Sequence, residues 1–259
     1  MLERFSKELL DEIMEFAKLL RRVTIITIVT IALMLVPINL THGDPIAFYL
    51  MKTALCSVIQ RLFPVLGIDA SNTSIVLIAG SPVGPVRVLL SSALFFGLLI
   101  SSPISLYLFY RYLKPALYSH ERRLAVRIVL YTALLFYSGV AYGFTVIAPL
   151  TMFILVHLGS TLGVAPYVTV ADFYEFIALS VLATAVGFLA PLAIYFINKA
   201  FHISLNLRKH WRYILVIGYA VTAAITPDPT PITALLIIGP PLASSVLAEV
   251  VASKRRGSQ

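Results

Sequence analysis

Charged side chains are scarce in this chain. Asp, Glu, Lys and Arg make up 12% of its 259 residues, whereas 59% are apolar. A soluble domain usually carries about twice that charged fraction, and one of this length could not bury so much apolar surface in a single core. The composition therefore excludes a soluble globular protein and a disordered chain. The single cysteine, Cys56, excludes an internal disulfide and a cluster of thiolate metal ligands.

Catalytic motifs are missing as well. The five histidines are scattered, and no two have metal-binding spacing on one helix. His120-Glu121 begins like the helix of a zinc protease, but Leu124 stands where the second histidine would be. The sequence contains neither G-x-S-x-G nor a phosphate-binding loop. We therefore predict no enzymatic activity, no metal and no cofactor.

Long apolar runs are abundant. A membrane-spanning helix needs about 20 mostly apolar residues, and five runs qualify. The last run contains Thr226–Pro231 (T-P-D-P-T-P), which a helix could not cross at membrane depth, so this run is divided into two spans. We predict an all-α integral membrane protein with six transmembrane helices, of which the fifth and sixth are short. The predicted spans cover residues 23–40, 85–110, 124–155, 173–197, 213–225 and 232–251.

Two further helices are predicted outside the spans. Residues 1–22 place apolar side chains at spacings of three and four with charges opposite, which is typical of an amphipathic helix on a membrane surface. Residues 41–84 form a predicted external loop. This loop contains a helix over residues 45–66, because Asp44 suits the N-cap and Pro45 the first helical position. The whole chain, residues 1–259, is predicted to be one membrane domain.

The positive charges favour one orientation. The chain has 20 Lys and Arg residues and a formal net charge of +8. With six spans, only Lys52, Arg61 and Arg87 fall on one side, and all the others lie at the termini, in the second–third loop or in the fourth–fifth loop. The positive-inside rule then places both termini in the cytoplasm and the protein in a cytoplasmic membrane. The excess of Lys and Arg is explained by the orientation of the protein in the membrane, so it does not indicate a nucleic-acid partner.

The segment PALYSHERR, residues 115–123, lies before the third predicted span. Its residues alone allow a purely structural interpretation. Ser119 suits a helix N-cap, and Glu121 then lies in the first turn, where the helix dipole favours an acid. Arg122 and Arg123 fit a positively charged cytoplasmic boundary.

The stretch SSPISLYLFYRYLKPALYSHERRLAVRIVLYTALLFYSGVAYGF resembles the second-span, loop and third-span region of the TatC family. TatC is the multispanning subunit of the twin-arginine protein translocase. The likeness extends over roughly residues 15–249, and six spans with cytoplasmic termini match the topology of that family. The residues that carry it are Ser102-Pro103, the string P-A-L-Y-x-H-E-R-R, Pro191, Leu207-Arg208-Lys209, Arg212-Tyr213 and Thr226-Pro227-Asp228.

The resemblance implies a receptor for signal peptides with two adjacent arginines on folded cargo. Glu121 matches the loop glutamate of the family, and Glu15 matches the glutamate of the N-terminal E-L-R motif, although the arginine of that motif is absent here. Such acids suit the task, because a guanidinium pairs bidentately with a carboxylate whereas an ammonium does not. The remaining residues of the implied site are Tyr112, Pro115, Arg122 and Arg123, of which the arginines would orient the site and bar other cations.

The resemblance also implies partners. TatC-like proteins recruit small single-span subunits of the TatA/TatB type and form oligomers, and the proton gradient drives transport. We expect these subunits along the fifth and sixth helices, where Ala223 and Ala224 permit close helix approach. Thr184 and Asp228 complete the expected contacts. Leu189 stands where the family commonly has a mid-membrane glutamate, so Thr184 or Ser180 would have to supply the polar contact.

A six-span permease for small solutes is the alternative function. Carriers mark their pathway with ionisable residues inside the spans. Here only Glu175 and Glu249 lie within the predicted fourth and sixth spans, and both are near a span end. This scarcity disfavours an ion-coupled carrier and leaves an uncoupled permease open.

Overall fold

A computed structural model describes residues 2–37, 44–65, 76–78, 80–116, 118–151, 153–154, 167–193, 212, 216–220 and 233–243. These residues are almost entirely helical. The α-helices are α1 (Leu2–Met34), α2 (Ile46–Val65), α3 (Gly84–Leu113), α4 (Ser119–Tyr142), α5 (Val170–Gly187) and α6 (Thr233–Ala243). A π-helical turn, Gly143–Ile147, follows α4. Two three-residue strands, β1 (Val76–Ile78) and β2 (Tyr167–Thr169), pair in parallel.

Three helical stretches among the described residues are long and apolar enough to cross a membrane. They are Gly84–Leu113, Arg122–Thr151 and Val170–Ala193, which coincide with the second, third and fourth predicted spans. α2 coincides with the predicted helix over residues 45–66. Most of the predicted fifth span and the C-terminal part of the predicted sixth lie outside the described residues.

α1 is one uninterrupted helix, whereas the sequence suggested a surface helix over residues 1–22 and a separate span from residue 23. The change from charged to apolar side chains near Arg22 does not break it, because Leu2–Met34 contains neither glycine nor proline. Backbone hydrogen bonds of the i→i−4 type therefore continue through the boundary. The helix ends shortly before Pro37. Residues 1–22 thus extend the first predicted span and do not form a separate helix.

The chain divides into two compact units, of which the first comprises Met1–Tyr49 and Ser92–Ala133. Within it, α1 packs closely on α3 at Gly97. A Cβ atom at Gly97 would lie 3.0 Å from the Cα atom of Ile31, and the hydroxyl of Thr30 donates to the carbonyl oxygen of Gly97 at 3.2 Å. Met34 and Ala93 extend this contact as part of a buried apolar cluster with Ala47.

The second unit comprises Leu50–Ser91 and Leu134–Gln259. Its central contact joins the C-terminal part of α4 to α5 through two glycines four residues apart. A Cβ atom at Gly139 would lie 2.7 Å from the Cα atom of Ala185, and one at Gly143 would lie 3.0 Å from the Cα atom of Val181. Small residues at this spacing let two helix backbones touch, as in membrane-helix pairs.

The N-terminal ends of α3 and α5 also meet in the second unit. Arg87 on α3 donates to Glu175 on α5 at 2.6 Å, and its guanidinium lies 3.8 Å from Asp172. Thr169 caps α5 by accepting a hydrogen bond from the backbone N–H of Asp172 at 3.2 Å. β1 precedes α3 and β2 precedes α5, so the backbone pairing of the two strands and the ion pairs of Arg87 both connect these helix ends.

Candidate functional site

Exposed Lys and Arg side chains gather at one end of the first unit. We call this region the basic end; its described members are Lys18, Arg21, Arg22, Arg111, Lys114, Arg122, Arg123 and Arg127. Exposed Glu12 and Glu15 lie on the same part of α1. None of the ion pairs between described residues involves either glutamate. Because both side chains are exposed, a positively charged ligand can reach their carboxylates.

A proline-containing turn shapes the basic end. α3 ends at Leu113, and a 3-10 turn follows over Lys114–Ala116. Pro115 disfavours helical backbone at the preceding residue, which explains why α3 stops there. α4 then starts at Ser119, and the backbone N–H of Arg122 donates to the carbonyl oxygen of Tyr118 at 3.1 Å. The turn thus presents the first residues of α4 at the same end as the last residues of α3.

An aromatic contact brings α1 to this turn. The ring centroids of Phe16 and Tyr112 lie 6.0 Å apart with an interplanar angle of 55°. Leu19, one turn further along α1, is only 7% exposed. Because Glu15 directly precedes Phe16, the contact brings the Glu15 segment to the end of α3. The sequence placed Phe16 on the apolar face of an amphipathic helix, and it carried no signal that identified Tyr112 as the partner of Phe16.

The sequence-predicted binding residues all belong to the first unit. Glu15, Arg122 and Arg123 are exposed, Tyr112 is half-buried, and Pro115 is exposed within the 3-10 turn. Glu121 lies in the first turn of α4, directly before the two arginines. The structure therefore gathers two acidic helix segments, an aromatic pair and several cations. The described residues contain no group of three or more potential metal ligands.

Of the predicted partner-contact residues, only Thr184 lies among the residues that the structure describes. Thr184 is completely buried, and its hydroxyl donates to the carbonyl oxygen of Ser180 at 2.7 Å. Leu189 lies in a turn that interrupts the helix just before Pro191. Ala223, Ala224 and Asp228 lie outside the described residues. A role for Thr184 in partner contact therefore stays a prediction, and its hydroxyl already has a partner within the chain.

The apolar helices and the basic end define a helical multi-pass membrane protein that presents carboxylates and cations together at one end. The family model for TatC, described as Sec-independent protein translocase protein, matches residues 13–240. The chain belongs to the TatC family. It is therefore a membrane component of protein translocation and not an enzyme.

Individual relatives agree with this membership. The chain is 34% identical over 188 residues to the Sec-independent protein translocase protein TatC of Aquifex aeolicus, covering 72% of this chain and 76% of the relative. It is 34% identical over 131 residues to TatC of Escherichia coli, covering 50% of each. A crystal structure of the twin arginine translocase receptor TatC matches with a TM-score of 0.70 at 28% identity, covering 93% of this chain and 99% of that one.

Proposed function

We propose that this chain is the receptor and core subunit of a twin-arginine translocase. It binds signal peptides with two adjacent arginines through Glu121 and Glu15, with Tyr112 and Pro115 shaping the site and Arg122 and Arg123 orienting it. The similar crystal structures bear the name of the twin arginine translocase receptor, and the likeness extends over nearly the whole of both chains. The extent of this structural likeness supports the receptor function.

The contact between Phe16 and Tyr112 carries the proposal. It joins α1 to the end of α3, so Glu15 and the turn before Glu121 belong to one surface although they lie about 100 residues apart in the sequence. The aromatic pair gives this surface an apolar floor. An exposed carboxylate beside such a floor suits a guanidinium, which is planar, weakly hydrated and able to stack on rings.

Affinity at this site comes from charge-assisted hydrogen bonds. Each partly shielded bond from a guanidinium to a carboxylate contributes about 1.5–3 kcal/mol, which corresponds to roughly tenfold or more in affinity. The exposed arginines of the basic end repel cations that do not form such bonds. Recognition therefore depends on the geometry of two guanidinium groups and not on positive charge alone.

The proposed topology has six spans with both termini in the cytoplasm of a cell membrane, so the basic end faces the cytoplasm. The distribution of Lys and Arg supports this orientation. Small single-span subunits of the TatA/TatB type would assemble along the fifth and sixth helices at Ala223, Ala224 and Asp228, with Thr184, whose side chain is buried within the chain, as a further contact. Export by the assembly uses the proton gradient.

Removal of the loop carboxylate tests the proposal. The Glu121→Ala variant is expected to insert into the membrane normally and to lose crosslinking to an Arg-Arg signal peptide, because it removes the acceptor of a bidentate pair. Asp44→Ala is the matched control, since Asp44 is an exposed acid on the segment between α1 and α2. Normal crosslinking and export by Glu121→Ala would overturn the assignment.

A transport assay distinguishes the permease alternative. Purified chain in liposomes is expected to move no small solute by itself and to bind an Arg-Arg peptide more tightly than its Lys-Lys counterpart. Solute flux through the chain alone, combined with equal affinity for both peptides, would favour a permease over a receptor.

A further inference from the structure

One stripe of α1 packs against α3. Along this stripe, Thr27 donates to the hydroxyl of Ser101 at 3.4 Å, and Thr30 donates to the carbonyl oxygen of Gly97. Leu19 and Met34 are 7% and 6% exposed. We call it the packing stripe; its members, at spacings of three and four, are Glu12, Phe16, Leu19, Val23, Thr27, Thr30 and Met34.

Glu12 is the exception on this stripe. It lies one helical turn before Phe16, on the same side of α1 and just beyond the ring contact with Tyr112. Phe5 and Leu9 continue the same spacing towards the N-terminus, so an acid interrupts an otherwise apolar or hydroxyl-bearing series. Glu12 is exposed, so the charge lies where the stripe leaves the packed interface, directly beside the ring contact. A charge that breaks such a pattern marks a candidate functional position.

Glu12 and Glu15 are neighbours on the surface of α1. A separation of three residues places their Cβ atoms about 5–6 Å apart. Both side chains are exposed, and neither takes part in an ion pair between described residues, although the basic end surrounds them. Two like charges at this spacing repel each other in the free protein, and a ligand with two positive groups relieves that repulsion.

We propose that Glu12 is a further residue of the peptide site and determines its preference for arginine. Glu12 accepts hydrogen bonds from one guanidinium of the Arg-Arg pair, and that guanidinium stacks on the rings of Phe16 and Tyr112. Glu15, on the flank of the stripe, is then placed for the neighbouring arginine. This inference rests on the proposed function and adds a second α1 carboxylate at the ring contact.

The test compares two variants that change the net charge equally. Glu12→Gln keeps the side-chain length and removes the carboxylate at the ring contact. Asp44→Asn removes an exposed charge from the segment that follows α1, near the opposite end of that helix from Glu12. The full chain is titrated in detergent with a synthetic Arg-Arg peptide and with its Lys-Lys counterpart, and a melting curve shows that each variant is folded.

Glu12→Gln is expected to bind the Arg-Arg peptide about tenfold more weakly and to discriminate less between the two peptides. Asp44→Asn is expected to stay within about twofold of the parent, because the length of α1 separates Asp44 from the peptide site by more than a Debye length of about 8–10 Å. Equal losses in both variants would show a general charge effect and overturn the inference. Unchanged binding by Glu12→Gln, with losses in Glu15→Gln and Glu121→Gln, would overturn it and leave the proposed function standing. If all three variants keep parental affinity and the two peptides bind equally, the proposed function fails as well.

Discussion

The contact of Gly139 with α5 offers the sharpest test of the helix packing. In Gly139→Ala, the new Cβ atom would lie 2.7 Å from the Cα atom of Ala185 and 3.0 Å from the Cβ atom of Phe188. A backbone atom cannot rotate away, so α4 and α5 must separate locally. Overpacking of this kind costs about 1–3 kcal/mol, while alanine gains about 1 kcal/mol over glycine in a helix. The net loss expected is therefore up to about 2 kcal/mol relative to the parent, and about 1–3 kcal/mol relative to a glycine-to-alanine change without overpacking.

Thermal unfolding in detergent measures this loss. An apparent Tm below that of the parent, by up to about 8 °C, is expected for Gly139→Ala. Gly187→Ala is the matched control, because its nearest contacts, Pro241 Cγ at 3.8 Å and the carbonyl oxygen of Ile237 at 3.9 Å, are ordinary van der Waals distances. This control is expected to match or exceed the parental Tm. A Gly139→Ala variant as stable as Gly187→Ala would refute the reasoning that the backbones are in contact.

Two further predictions concern the N-terminal ends of α3 and α5. In a Cys56→Ser background, the combined Gly80→Cys and Thr169→Cys variant is expected to form a disulfide on oxidation. The two Cβ positions lie 3.2 Å apart, slightly closer than the usual disulfide range of about 3.5–4.5 Å, so a small local shift suffices. After proteolysis between the two sites, a non-reducing gel is expected to show the two fragments linked, and two separate fragments would contradict the close approach of residues 80 and 169. Arg87→Ala is expected to destabilise the protein by at most about 1 kcal/mol, since both partners of its ion pair are substantially exposed; a drop in Tm of more than about 4 °C would show that the pair contributes more than a surface salt bridge.

Hydropathy predicted the three long apolar helices because membrane spans are set by composition over about 20 residues. The start of α4 could also be predicted from the sequence, because Pro115 and Ser119 affect the backbone of their immediate neighbours. The change in side-chain polarity at Arg22 predicts a boundary between two helices, whereas the structure has one continuous helix there. Backbone hydrogen bonding depends on the absence of glycine and proline there, and this absence was visible in the sequence.

Pairwise contacts were beyond the reach of sequence reasoning. The approach of Gly139 to Ala185 and of Phe16 to Tyr112 joins positions far apart in the chain, and a single sequence carries no information on which helix faces meet. The strand pair was missed for the same reason, since three residues show no reliable alternation. In the candidate site, the family resemblance identified Glu15 and Glu121 as candidate binding residues. Glu12 could be proposed only from the side of α1 that packs in the structure.

The unbroken course of α1 has a mechanical consequence. Helix geometry puts Glu15 about 22 Å from Thr30, where α1 touches Gly97 of α3. No glycine, proline or turn lies between them to act as a hinge. A force on the N-terminal part of α1 is therefore transmitted along the whole helix and reaches the α1–α3 contact as a tilt or twist of the entire helix. Under the proposed function, capture of a peptide at Glu15 would act directly on the packing of α1 against α3.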